Sequence, residues 1–219
     1  MRRFISLLVI IPFVFLLSSC QEDIDRKLTD SVCQAPCWRG ITMGTSMDKA
    51  IEMLNQMPDI DQQTIHVSKS DRPDMQKVIN WKFQNSDESG NIILNNDVVS
   101  AYYFPLVNRI SLSAALKTYG NPDFVLIEKQ ILDGVYSQVH LIYKQGVCLE
   151  YQPFLWPFAD FETYKIKATD RINRIYYSDP SIEEWPINIC NIGFSSKDYE
   201  KYLSSWNGFT SYSVYQSLP

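Results

Sequence analysis

Apolar positions along the chain follow two periodicities. Ala50, Ile51, Met53, Leu54 and Met57 recur at three- and four-residue spacing and predict an amphipathic helix of about 12 residues. Thr45 or Ser46 offers oxygens to its first amides, and Met57-Pro58 closes it. Residues 62–69, 77–84, 92–94 and 98–104 then alternate as strands, with turns at Asp71-Arg72-Pro73, at 86–91 and at Asn95-Asn96-Asp97. The same order returns in the second half. Residues 110–119 predict a short helix with Gly120 as its left-handed C-cap, and 124–132, 135–143 and 147–152 predict strands turning at Asp133-Gly134 and Lys144-Gln145-Gly146. A further strand at 171–177, a short capped helix at 196–203 and an extended end at 212–215 complete the pattern.

A helix followed by a small meander, given twice, predicts an α+β fold of two tandem modules, each a short helix packed on a small antiparallel sheet, plus a short C-terminal helix. The modules would occupy 33–107 and 108–219, the second with a C-terminal extension. Residues 98–103 and 146–151 both leave a short turn and end in aromatics, as an internal duplication would. Residues 153–161 are apolar, aromatic and broken by prolines, which suits neither a helix nor a central strand. They read as a loop covering the open face of the second sheet, or as an exposed aromatic surface. In the second case Phe154, Trp156 and Phe158, with Trp185 and Trp206, are the candidate binding residues.

The N-terminus has its own pattern. Met1-Arg2-Arg3 precedes an apolar run from 4 to 17 and then Ser18-Ser19-Cys20, which is the layout of a secretory signal, too short for a comfortable membrane span. Leu17-Ser18-Ser19-Cys20 resembles the lipobox of bacterial lipoproteins. That resemblance implies removal of 1–19 and acylation of Cys20, which would hold the chain at the outer face of a membrane in the cell envelope, the outer membrane or the cell surface. The alternative is an ordinary cleaved signal with Cys20 incidental. Residues 20–32 are polar and read as a flexible tether reaching roughly 40 Å.

Composition narrows the field. The chain has 219 residues, 45% apolar and 21% charged, which excludes disorder and a polytopic membrane protein. Its formal charge of −5 becomes −7 without Arg2 and Arg3, and this acidity argues against nucleic acid as a partner. Beyond Cys20 four cysteines remain, Cys33, Cys37, Cys148 and Cys190, an even count that in an exported chain favours two disulfides. The preferred pairing is Cys33 with Cys37 and Cys148 with Cys190, although all three connectivities stay open. No metal-ligand spacing, phosphate loop, nucleophile elbow or dinucleotide fingerprint occurs, so no catalytic residue, cofactor or metal is expected. His66 and His140 sit in alternating patterns and read as surface or edge strand residues rather than bases.

Ile41-Thr42-Met43-Gly44-Thr45-Ser46 and Tyr119-Gly120-Asn121-Pro122-Asp123 resemble the helix opening and the Gly-x-Pro of the small outer-membrane-assembly lipoproteins of the SmpA/OmlA (BamE-like) type, and of the tandem modules of secreted β-lactamase-inhibitor proteins. Met43 precedes Gly44 here instead of following it. Residues 33–41 resemble more closely the Cys-x-x-Pro-Cys-Trp-x-Gly-Ile motif of bacterial exported lipoproteins with no assigned activity. The resemblance implies a membrane-anchored module for protein interaction or envelope assembly, held by its lipid and partnered by an envelope protein. A small-molecule or glycan receptor using the aromatics is the alternative.

Overall fold

A computed structural model of the chain describes residues 36–69, 77–131, 135–153, 162–179, 190 and 203–216. The expected signal 1–19, Cys20, the tether, Cys33, the turns at 71–73 and 133–134, Phe154, Trp156, Phe158, Trp185 and all but Leu203 of the helix expected at 196–203 lie outside these residues.

The described chain opens on a tight turn. Trp38 and Ile41 exchange backbone hydrogen bonds of 3.0 and 2.9 Å across Arg39 (φ 49°) and Gly40 (φ 84°). Two successive positive φ values define a type I′ turn, whose second position glycine fills without steric cost. The turn drives Trp38 and Ile41 into the core, where Trp38 stacks on Trp81 at 5.4 Å and leans on Phe104 at 5.0 Å. Arg39 lies 5.1 Å over the Trp38 ring while its Nη1 donates to both carboxylate oxygens of Asp59, at 2.7 and 2.8 Å. The Cys-Trp-x-Gly-Ile motif is therefore a core-seating hairpin.

Helix α1 (Met47–Gln56) is capped by Ser46, whose side chain accepts from the Lys49 amide, and it buries Ala50 and Leu54. A meander follows through β1 (Ile60–Lys69), β2 (Lys77–Phe83), β3 (Ser89–Asn95) and β4 (Val98–Ser111). Helix α2 (Leu112–Tyr119) starts where β4 stops; Ser111 caps it and it buries Leu112 and Ala115. Then come β5 (Phe124–Ile131), β6 (Val135–Tyr143), β7 (Val147–Tyr151), β8 (Thr163–Lys165), β9 (Arg171–Ser178), β10 (Ser204–Ser205), β11 (Ser211–Ser213) and β12 (Tyr215–Gln216).

One ten-stranded sheet takes the order β1-β2-β3-β4-β9-β7-β6-β5-β10, with β12 also on β5, while β8 and β11 form a separate pair. This overturns the α+β fold of two tandem modules, each with its own small sheet: the protein is mainly β, with two short helices among the described residues. The cause is the pairing of β9 with both β4 and β7, which continues the hydrogen-bonded ladder from one half of the chain into the other. β4 itself runs unbroken through residue 107, where the first module was expected to end. Both helices pack on one face of the sheet, into the cluster that holds Trp38, Trp81, Phe104, Leu149 and Tyr177. The opposite face of β5, β6, β7 and β9 carries a second, smaller cluster of Leu126, Ile142, Cys148, Tyr176 and Cys190.

Gly90 on β3 lies opposite Trp81 on β2, and a Cβ there would stand 2.2 Å from the indole ring. Trp81 is held by Trp38 and Phe104, so it cannot retreat cheaply. Gly90→Ala is expected to lower stability by about 1–3 kcal/mol, the usual cost of overpacking. Urea unfolding followed by tryptophan fluorescence reads it, and an unchanged midpoint would show that the indole has room to move.

Candidate functional site

Charged side chains concentrate inside the sheet, on the face away from the helices. The register sets Leu126 of β5, His140 of β6, Glu150 of β7 and Arg174 of β9 side by side in one row across four strands. The next row is Phe124, Ile142, Cys148, Tyr176 and, on β4, Tyr103. Glu128 stands two residues along β5 from Leu126, and so on the same face as the row. His140 is 1% exposed and Glu128 and Glu150 are each 2% exposed, so these three are sealed, while the Arg174 side chain at the end of the row is 32% exposed.

Burial and neighbours set the electrostatic state of Glu150, Arg174 and His140. Glu150 Oε1 accepts from Arg174 Nη1 at 2.5 Å and from Gln138 Nε2 at 3.4 Å. Burial pushes the Glu150 carboxyl up from its usual range, and Arg174 opposes that shift. Burial would lower Arg174, but the facing Glu150 outweighs it and holds the guanidinium protonated. Burial also raises the Tyr103 and Tyr176 hydroxyls, whose rings stack at 4.8 Å beside the pair. His140 goes the other way: burial, reinforced by Arg174, pushes it down to about 3, so the imidazole is neutral.

His140 Nδ1 lies 3.7 Å from Glu150 Oε2, and its Nε2 lies 3.9 Å from Glu128 Oε2. With a neutral ring neither contact is an ion pair, and both are too long for hydrogen bonds. Both ring nitrogens are buried without a hydrogen-bond partner. The expectation that His140 is a surface or edge residue is thus corrected, because β6 lies between β5 and β7 and both of its faces are covered. His66 is exposed on the edge strand β1, where its ring contacts the Thr64 carbonyl.

Cys148 is bonded to Cys190, with their Cα atoms 5.5 Å apart, and the bond closes a 42-residue separation on the same face as the charged row. On a chain-entropy account such a closure is worth about 4 kcal/mol. Cys37 is also in a disulfide, and its partner lies outside the described residues. Of the aromatics named from sequence as a binding surface, Trp206 is the described one. It is half-buried, with Tyr212 stacked on it at 6.1 Å and Phe209 edge-on at 5.8 Å, so one face of its ring is already occupied. Sequence reasoning missed Glu128, Glu150, Arg174, Tyr103 and Tyr176. These five lie on four strands, and that they share one face is legible only once the register is known.

A comparison with known protein families, curated proteins and solved structures gives no match. Among the described residues no helix is long and apolar enough to cross a membrane.

Since His140 binds a proton far more weakly folded than unfolded, its contribution to stability is fully present above its ordinary pKa of 6.5 and is lost as pH falls toward about 3. The slope approaches about 1.4 kcal/mol per pH unit within that window. Glu150, pushed up, acts in the opposite sense at the acid end, so a comparison of two proteins isolates the histidine. His140→Leu is expected to flatten the fall of the urea midpoint between about pH 6.5 and 4. Parallel curves for the two proteins would mean that His140 is already charged in the fold.

Proposed function

We propose that this protein is a lipid-anchored module of the cell envelope that acts by binding an envelope protein rather than by catalysis. The observation that carries the reading is the burial of the row's acid–base groups: His140, Glu128 and Glu150 are 1–2% exposed, and a general base must come within hydrogen-bond reach of its substrate. What the described residues offer to a partner is surface. β1 forms one border of the sheet, and from His66 to Lys69 its residues are exposed on both faces. An edge strand of this kind is where a partner's strand can add. The lipobox-like Leu17-Ser18-Ser19-Cys20 and the disulfide bonding of Cys37, Cys148 and Cys190 support an extracytoplasmic address.

Two measurements test the reading in turn. The intact mass of membrane-extracted protein is expected to begin at Cys20 with added acyl chains and to rise by about 4 Da on reduction, two hydrogens for each of two disulfides. Cys20→Ala should release the chain from the membrane fraction, and a wild-type chain that is unlipidated and carries free thiols would remove the basis of the proposal. A photo-cross-linker at Val67, an exposed residue of β1, is then expected to trap one defined envelope protein, while the same group at Phe209 does not. Absence of a cross-link from Val67 together with a saturable change in tryptophan fluorescence on adding sugars would favour the small-molecule or glycan receptor instead.

A further inference from the structure

Between β10 and β11 lies a turn whose covalent structure is poised to change. It contains Asn207-Gly208, the single Asn-Gly pair of the chain. Asn207 is exposed. Gly208 has φ 77°, and a Cβ built on it would meet nothing within 4 Å, so no atom crowds the glycine on that side. Among the described residues neither the Asn207 carboxamide nor the Gly208 amide N–H has a hydrogen-bond partner. A main-chain nitrogen in this state can attack the side chain of the residue before it. Glycine matters because any larger residue would bring its own side chain into the path of that approach.

We infer that Asn207-Gly208 is a site of spontaneous backbone rearrangement, in which water replaces the side-chain amide and the turn that seats Trp206 is opened. The Gly208 nitrogen gives its proton to hydroxide and bonds to Asn207 Cγ. The carbon–nitrogen bond of the carboxamide breaks, and ammonia leaves with a proton taken from water. A five-membered imide remains. Water then opens it at either carbonyl. Cleavage at Cγ gives aspartate, while cleavage at the α-carbonyl gives isoaspartate, whose main chain runs through Cβ and Cγ and leaves the α-carboxylate free. One water enters for one ammonia lost, a gain of about 1 Da and of one negative charge.

The consequence follows from how Tyr212 spans this dipeptide. Its hydroxyl accepts from the Asn207 amide at 2.7 Å and donates to the Gly208 carbonyl at 2.9 Å, and the same carbonyl accepts from the Thr210 amide at 2.9 Å. A single oxygen thus closes a ring over the main chain of residues 207 and 208. Isoaspartate inserts an extra methylene into that ring, so the two bonds are not kept together. Tyr212 is 5% exposed, and its ring stacks on Trp206 at 6.1 Å. A buried hydroxyl deprived of a partner moves or admits water, and the stacked indole moves with it. The inference stands whether or not the chain is lipid-anchored, and it bears on the aromatic surface because Trp206 is the described candidate binding residue.

The test ages the full chain, disulfides intact, at mildly alkaline pH and follows its asparagines by peptide mass. The peptide holding Asn207 is expected to gain about 1 Da ahead of the one holding Asn85, an exposed turn asparagine followed by Ser86. The rate should rise with hydroxide concentration, and a protein-isoaspartyl methyltransferase should label the product at 207. Asn207→Gln keeps a carboxamide but can close only a six-membered imide, and it is expected to abolish both the gain and the label. Tryptophan emission of the aged wild-type chain should shift, and that of the aged variant should not. An Asn207 peptide that keeps its mass, or gains it only after unfolding in urea, would overturn the inference, as would labelled protein whose tryptophan emission is unchanged.

Discussion

The pairing of β4 with β9 is the constraint on which the rest depends. Four strands lie on one side of it and the remainder on the other, so without this ladder each half would present a long unpaired edge next to an apolar face. The register puts Tyr102 opposite Tyr177 and Tyr103 opposite Tyr176, one aromatic pair for each face of the sheet. Tyr102 and Tyr177 meet edge-on within the main core, while Tyr103 and Tyr176 stack beside Glu150 and Arg174. Cross-strand aromatic pairs of this kind each add roughly 0.2–1 kcal/mol and discourage register slips. The Tyr119 hydroxyl meets that of Tyr177 at 2.8 Å, so α2 is tied to the same seam.

The elements were more legible than their assembly. The spacing of Ala50 and Leu54 and the Asn96-Asp97 turn, with φ values of 51° and 61°, read directly from sequence, and the cap was narrowed to Thr45 or Ser46, because each is decided by neighbours within a few residues. Which strand lies beside which is decided by partners far away in the chain. Ile175 pairs with Phe104 across about seventy positions, and alternation carries no record of that distance. The register also shifts between Ile93 and Leu94, which lets Val99 and Tyr102 both enter the main core although they are three residues apart. The helices misled in another way. Each buries only two side chains fully, so a strong local signal belonged to elements that contribute little to the core.

The charged row was hidden by a reading of alternation that was sound for one face only. Val139, His140, Leu141 and Ile142 suggest a half-exposed strand, but the face bearing His140 is covered as well. A signal for this existed in the cysteines. If Cys148 pairs with Cys190, residue 190 must sit over the face to which Cys148 points, and Glu150, two residues along the strand, shares that face. Joining that inference to His140 requires knowing that Ile142 lies opposite Cys148 and His140 opposite Glu150, which only the register supplies.

The row stands in the sheet at an energetic cost. Two carboxyls and an imidazole are buried in the sheet; Arg174, Gln138 and Tyr176 hydrogen-bond to Glu150, while both nitrogens of His140 have no partner. Replacing buried charged pairs with packed apolar groups is often neutral or stabilising, whereas removing one partner from them is costly. Stability therefore gives no reason for His140 to stand there: a leucine of similar volume would leave no nitrogen unpaired. The fold places apolar residues at neighbouring positions, since Leu126 on β5 and Ile142 on β6 itself occupy the same face and are almost fully buried. A neutral, unpaired imidazole beside two bonded sulfurs and between two carboxylates is thus a feature that the sheet accommodates at a cost.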